Sequence, residues 1–141
     1  MRVLGLDVGD RRIGVAVSDL LWLTAQGVET WERRGMEKDM AHFRALAAEW
    51  KAGKWVLGLP VNMNGTVGEK AESVRRFGEI LETETGLPVV YCDERLTTVA
   101  AHRVLIEGGT RREKRKGVVD KLAAVLILQT WMDAHPEDGQ R

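Results

Sequence analysis

The sequence predicts a single α/β domain in which helices flank a mixed β-sheet. Its length of 141 residues suits one domain. The hydrophobic patterns indicate three strands at the start, followed by helix–strand–helix–strand–helix–helix. Strands that follow one another through short turns pair antiparallel, whereas strands joined through helices pair parallel. The sheet is therefore expected to contain three antiparallel strands and then parallel ones.

The opening of the chain predicts the antiparallel part of the sheet. Residues 2–8 (RVLGLDV) alternate in the manner of a strand that presents opposite faces to its two sides. Gly9-Asp10 is typical of a turn, and residues 13–17 (IGVAV) predict the returning strand. A third strand is predicted between Trp22 and Thr30.

Two amphipathic helices and two strands are predicted next. Apolar residues at spacings of three and four indicate a first helix, from Met36 to Trp50, which ends before Gly53. Residues 54–59 (KWVLGL) predict a buried strand that Pro60 stops, with a loop after it up to Gly68. The second helix and the next strand follow this loop, over residues 71–81 and 88–92.

The last third of the chain predicts two more helices. One would begin at Thr97 or Thr98 and end at Gly108-Gly109. The other, over residues 118–132, is apolar nearly all round and should pack inside the protein. The domain is expected to span residues 1–134, with a frayed polar tail at residues 135–141.

Composition excludes several classes of protein. The single cysteine, Cys92, excludes a disulfide framework and a cysteine-rich zinc module. No run of about 18 apolar residues could span a membrane, and the charged opening does not fit a signal peptide. These features predict a cytoplasmic protein. The net charge is zero, yet basic residues outnumber acidic ones from Arg103 to Lys121, which favours a local site for a polyanion.

Three acidic positions carry the chemical signal. Asp7 lies near the end of the first strand, Glu94 and its neighbour Asp93 follow a later strand, and Asp120 lies on the most apolar helix. If the strands concerned are neighbours, Asp7 and Glu94 converge at one edge of the sheet. Converging carboxylates repel each other unless cations neutralise them. Mg²⁺ or Mn²⁺ prefers such oxygen ligands, and two ions over three carboxylates are typical of phosphodiester cleavage.

Each acid also has a structural interpretation. Asp7 is placed as a turn-forming aspartate would be, before Gly9, and Glu94 could pair with Arg95 or with the basic segment. Asp120 would lie in the first turn of its predicted helix and complement the helix dipole. Strand alternation does not choose between Asp93 and Glu94, because both faces of that strand are apolar.

Polar residues outside this triad are candidates for substrate binding. In the loop before the second helix, Asn62 and Asn64 either contact a nucleic acid backbone or only form turns. A basic run either tracks phosphates or is a solvated charged loop. Arg11, Arg12 and Arg95 adjoin the acids and either hold a phosphate or pair with a carboxylate. The basic run comprises Arg111, Arg112, Lys114, Arg115 and Lys116.

Four blocks of sequence resemble the YqgF/RuvX family, bacterial proteins with an RNase H-like fold. The family is described as Holliday-junction resolvases and as nucleases that mature the precursor of small-subunit ribosomal RNA. The resemblance extends over nearly the whole chain. It is carried by residues 4–9 (LGLDVG) with 12–16 (RIGVA) and 18–19 (SD), 58–60 (GLP) with 62–65 (NMNG), 93–98 (DERLTT), and 120–124 (DKLAA) with 127–129 (ILQ).

The resemblance implies an RNase H-like sheet and a nuclease that cuts phosphodiester bonds in branched or structured nucleic acid. It implies that Asp7, Glu94 and Asp120 bind the catalytic metals. It favours Glu94 over Asp93 as the ligand, and Asp93 would then contact a ligand residue without binding the metal itself. A four-way junction takes two cuts, which favours a homodimer. The alternatives are an RNA-binding ribosome-assembly factor without catalysis, and an ATP-binding protein of the actin or sugar-kinase type, because residues 7–9 (DVG) resemble the phosphate loop of that related fold.

Overall fold

The computed structural model of the protein describes residues 1–97 and 112–140. A five-stranded sheet has the order β3-β2-β1-β4-β5. Strand β1 pairs antiparallel with β2, and β2 pairs antiparallel with β3. Strand β1 pairs parallel with β4, and β4 pairs parallel with β5. The predicted mixed sheet of the α/β domain is therefore confirmed. The strands are β1 (Arg2–Val8), β2 (Arg12–Ser18), β3 (Ala25–Glu32), β4 (Ala52–Leu59) and β5 (Val89–Asp93).

The third strand begins later than its pattern predicts. The side chain of Asp19 accepts hydrogen bonds from the backbone N–H groups of Leu23 and Thr24, at 2.6 and 3.1 Å. Trp22 has a φ of 61°, in the left-handed region. Residues 19–24 therefore form a closed turn, and β3 is displaced to Ala25–Glu32.

Three helices of the described ranges, 1–97 and 112–140, cover the sheet. Helices α1 (Met36–Trp50) and α2 (Glu69–Thr85) pack on one face with Leu4, Leu6 and other residues of the larger core cluster. Helix α3 (Arg112–Ala134) packs on the opposite face. Both faces of the central strands β1, β2 and β4 are thus largely buried, as is typical of strands that helices cover on both sides. No helix in the described part of the chain is long and apolar enough to cross a membrane.

Helix α3 starts six residues earlier than its apolar pattern predicts. The described residues of the basic run, from Arg112 to Lys116, therefore lie in the first turns of a helix, and their interpretation as a charged loop is wrong. Lys, Arg and Glu are good helix formers, so a charged segment continues a helix whose apolar part is anchored further along. Arg111 and the helix predicted from Thr97 or Thr98 to Gly108-Gly109 lie outside the described residues, except for Thr97 itself.

Helix α3 lies directly on the backbone of the sheet. A Cβ atom at Gly14 would overlap the backbone carbonyl oxygen of Asp120. On the helix side, Ala123 and Ala124 are 2% and 0% exposed, so small residues meet on both surfaces. This contact fixes the position of Asp120 relative to β2.

The C-terminal residues form a short 3-10 helix, Pro136–Gln140. The Lys54 Nζ atom lies 3.5 Å from Asp138 Oδ2, and the indole N–H of Trp22 donates to the carbonyl of His135 at 3.1 Å. Fraying of this polar tail stays a prediction.

A buried carboxylate ties the start of α1 to the first turn of the sheet. Asp39 is fully buried and accepts hydrogen bonds from Trp31 Nε1, Arg33 Nε and the backbone N–H of Arg34, at 2.9, 3.1 and 2.9 Å. The same guanidinium donates to the carbonyl of Gly9 at 3.1 Å. Burial alone would raise the pKa of Asp39, but these hydrogen bonds and the charge of Arg33 outweigh it and lower the pKa.

We expect Asp39→Asn to lower the free energy of unfolding at pH 7 by about 2–3 kcal/mol, because it removes the charge from several hydrogen bonds. A carboxylate with a lowered folded-state pKa stabilises the protein above its unfolded pKa of about 3.9 and loses that contribution as the pH falls through the folded value. The difference between wild type and variant should therefore shrink below about pH 4. Urea unfolding of both proteins at a series of pH values measures it, and a difference independent of pH would contradict the assignment.

Candidate active site

A cavity of about 180 Å³ opens at the carboxyl ends of β1, β4 and β5. Ligands of open α/β sheets bind at this edge. All three predicted acids line the cavity, so residues far apart in sequence share one surface. Its lining comprises Asp7, Val8, Gly9, Asp10, Gly58, Pro60, Lys70, Ser73, Val74, Glu94 and Asp120.

Strand β1 contributes Asp7, which is 7% exposed. Asp7 is the register partner of Gly14 on β2, so its side chain projects on the same face of the sheet as the missing side chain of Gly14. That face is the one covered by α3, because Gly14 meets the backbone of Asp120. A buried acid on an otherwise apolar strand thus points toward the helix that carries Asp120.

The end of β5 separates the roles of Asp93 and Glu94. Both carboxylate oxygens of Asp93 accept hydrogen bonds from the guanidinium of Arg95, the shortest at 2.7 Å, and one also accepts the backbone N–H of Arg95. These bonds lower the pKa of Asp93. A 3-10 turn starts at Glu94, which lines the cavity, whereas Asp93 is not among the lining residues. Arg95 therefore pairs with Asp93.

Asp7 and Glu94 do not come from adjacent strands, because β4 lies between β1 and β5. The condition of neighbouring strands, under which the sequence brings these two acids together, is therefore not met, although both acids line the same cavity. Gly58 on β4 resolves the difficulty, since a Cβ atom there would lie 2.9 Å from Glu94 Oε1 and would overlap Ile127. The absent side chain leaves space in which Glu94 reaches across the central strand.

Asp120 lies on α3 more than two helical turns after Arg112, the first helical residue. The helix dipole acts within the first turn, so the interpretation of Asp120 as an N-terminal dipole partner is wrong. Its Oδ2 atom accepts a hydrogen bond from Arg12 Nε at 3.0 Å, and both side chains are mostly buried. Arg12 is thus an ion-pair partner of one of the three acids.

The donor atoms around the cavity suit a hard divalent cation. Carboxylate oxygens are the ligands that Mg²⁺ and Mn²⁺ prefer, and Gly58 keeps space for the Glu94 carboxylate. Among the described residues, however, no three Asp, Glu, His or Cys side chains are grouped closely enough to hold an ion as they stand.

Other predicted binding residues occupy varied positions. Asn62 Nδ2 donates to Thr66 Oγ1 at 3.0 Å, and Asn64 Oδ1 accepts the backbone N–H of Thr66 at 3.1 Å, so both asparagines stabilise their loop. Asn62 also lines a second groove, of about 510 Å³. Arg11 is exposed. Arg112, Lys114, Arg115 and Lys116 belong to the start of α3.

The cavity lining also includes Asp10, Lys70 and Ser73, which were not predicted from the sequence as site residues. Lys70 lies in the first turn of α2 and also lines the second groove, together with Pro60 and Glu94, so the two depressions adjoin. No motif marks Lys70. The turn signal of the preceding loop could have indicated that α2 begins at this edge of the sheet.

The comparison with protein families shows which family the chain belongs to. The family model described as "RuvX: Holliday junction resolvase" matches residues 1–134. The chain belongs to the RuvX family. The resemblance found in the four sequence blocks is confirmed.

Relatives in this family are similar over most of their length. The chain is 58% identical over 134 residues to a protein of Heliobacterium modesticaldum, covering 95% of this chain and 90% of that one. It is 54% identical over 132 residues to one of Clostridioides difficile, covering 94% of each. Both relatives carry the name "Putative pre-16S rRNA nuclease".

Solved structures share the RuvX fold at low sequence identity. RuvC of T. thermophilus, in complex with a Holliday junction substrate, has a TM-score of 0.60 at 14% identity, covering 95% of this chain and 96% of that one. The Holliday junction resolvase of fowlpox virus has a TM-score of 0.55 at 14% identity, covering 95% and 99%. These likenesses establish the fold.

Proposed function

We propose that the chain is a divalent-metal-dependent nuclease that hydrolyses phosphodiester bonds in branched or structured nucleic acid. Its substrate would be a Holliday junction, the precursor of 16S ribosomal RNA, or both. The observation that carries the proposal is the single cavity lined by Asp7, Glu94 and Asp120 at the carboxyl edge of the sheet. The description of the family and the names of the relatives support it.

Asp7, Glu94 and Asp120 would hold Mg²⁺ or Mn²⁺ at a site for two ions. Such ions supply an activated water and stabilise the leaving oxygen in phosphodiester hydrolysis. The protein contributes orientation: the sheet fixes Asp7, and the contact of α3 with Gly14 fixes the backbone at Asp120. The burial of Asp7 strengthens its electrostatic interaction with a cation.

The test is a comparison of rates on two substrates. A labelled four-way DNA junction and a structured RNA that contains the 5′ end of 16S ribosomal RNA are incubated with the protein and Mn²⁺. Cleavage of either substrate supports the nuclease, and the ratio of the rates identifies the substrate class. Binding of the RNA without cleavage would favour an assembly factor. Sedimentation with the junction tests the proposed homodimer, because two symmetric cuts take two sites.

The second groove gives the substrate backbone a path beside the cavity. Lys70 borders both depressions and is exposed. A lysine acts as a point charge that neutralises a phosphate. We infer that Lys70 contacts a phosphate next to the one that is cut.

We expect Lys70→Gln to weaken junction binding and to reduce the slope of log Kd against log salt by about 1, because one phosphate contact is lost. Lys38→Gln provides the matched control, since Lys38 is an exposed lysine on α1 that lines neither depression. Fluorescence anisotropy from 50 to 300 mM salt measures both slopes. Equal slopes for the two variants would remove Lys70 from the interface.

A further inference from the structure

Asp120 lines the cavity and forms an ion pair with Arg12, which lies next to that lining. The Arg12 Nε atom donates to Asp120 Oδ2 at 3.0 Å, and the two side chains are 25% and 20% exposed. Arg12 begins β2, and the Asp120 backbone rests on the same strand at Gly14. The backbones of both partners therefore belong to packed elements of the fold, and the pair is partly shielded from solvent.

This pair opposes the binding of a divalent cation. A carboxylate coordinates a cation through the same oxygen lone pairs that accept hydrogen bonds from a guanidinium. A guanidinium next to the carboxylate also repels the incoming cation.

A phosphate group offers the guanidinium an alternative partner. Arginine binds phosphate through two parallel hydrogen bonds, and its planar fork suits phosphate as well as carboxylate. The nucleic acid that would enter the cavity carries such groups next to the bond to be cut. The phosphate could therefore draw Arg12 away from Asp120.

We propose that Arg12 is a positioning residue that withholds Asp120 from the cation until a substrate phosphate engages the guanidinium. The inference rests on the proposed function and adds a coupling to it. Because such coupling is reciprocal, the substrate would tighten cation binding by the same factor by which the cation tightens substrate binding. The cation site would then be complete only in the presence of nucleic acid.

The test measures Mn²⁺ affinity in the absence of nucleic acid by isothermal titration calorimetry. Arg12→Gln and Arg12→Met, the latter retaining the aliphatic part of the side chain, are expected to bind Mn²⁺ at least fivefold more tightly than wild type. Arg11→Gln removes the same charge from the exposed neighbouring position and is expected to change the affinity less than twofold. Melting temperatures in EDTA show which variants are folded.

Each result decides between the alternatives. If the folded Arg12 and Arg11 variants bind Mn²⁺ with equal affinity, the effect comes from total charge and the inference is overturned. Weaker Mn²⁺ binding by the Arg12 variants than by wild type would also overturn it, because Arg12 would then support the site. Either result with a wild type that cleaves nucleic acid leaves the proposed nuclease intact. Failure of wild type and all variants to bind Mn²⁺, together with failure to cleave, would overturn both.

Discussion

We expect Asp7→Asn to lower the rate of Mn²⁺-dependent cleavage by about 1000-fold or more. Asp7 is the most buried of the acids in the proposed metal site, and an amide in its place carries no charge with which to hold a cation. A catalytic metal supplies several kcal/mol of stabilisation to the transition state, and each 1.36 kcal/mol corresponds to a factor of ten in rate. Asn has nearly the shape of Asp, so the fold should persist.

The control is Asp133→Asn, which removes an exposed acid from the far end of α3. Single-turnover rates on a labelled four-way junction, with both variants purified in parallel, separate the chain's own activity from that of a contaminant. Circular dichroism compares their folding. Cleavage by Asp7→Asn at the wild-type rate would remove the metal–carboxylate mechanism.

The cavity was partly predictable because the acids interrupt apolar patterns. One carboxylate lies on the apolar strand β1 and another follows β5. Because these strands run parallel, their carboxyl ends lie at the same edge of the sheet, and so do the two carboxylates. The choice of Glu94 over Asp93 came from the family resemblance. In the structure, the guanidinium of Arg95 pairs with Asp93, an interaction that strand alternation alone could not indicate.

Other features depend on three-dimensional neighbours that a one-dimensional pattern does not contain. Strand β4 lies between β1 and β5 in the sheet. Only because of this strand order does the missing side chain of Gly58 leave space for Glu94. The pairing of Arg12 with Asp120 joins positions 108 residues apart. The early start of α3 was not predicted, because a run of charged residues has no apolar periodicity even though its residues favour helix.

We expect Gly14→Ala to lower both the stability and the cleavage activity of the protein. The new methyl group would overlap the carbonyl oxygen of Asp120, a backbone atom held within a helix. Since that atom cannot rotate aside, α3 has to move away from the sheet, at a cost of about 3 kcal/mol in the free energy of unfolding. The same displacement would carry Asp120 away from Asp7, so we expect cleavage to fall at least tenfold even where the variant is folded.

Gly27→Ala is the matched control, because Gly27 lies on the adjacent strand β3 and faces the same helix. A Cβ atom there would lie 2.8 Å from Cγ of the exposed Lys121 side chain, so the substitution takes a change of rotamer at Lys121 and no shift of the helix backbone. We expect a change of less than about 1 kcal/mol for this variant, in the range of a substitution that meets no rigid neighbour. Urea unfolding measures both stabilities. Equal effects of the two substitutions would mean that the contact between α3 and the strand does not position Asp120. Some other contact would then position this third carboxylate in the cavity.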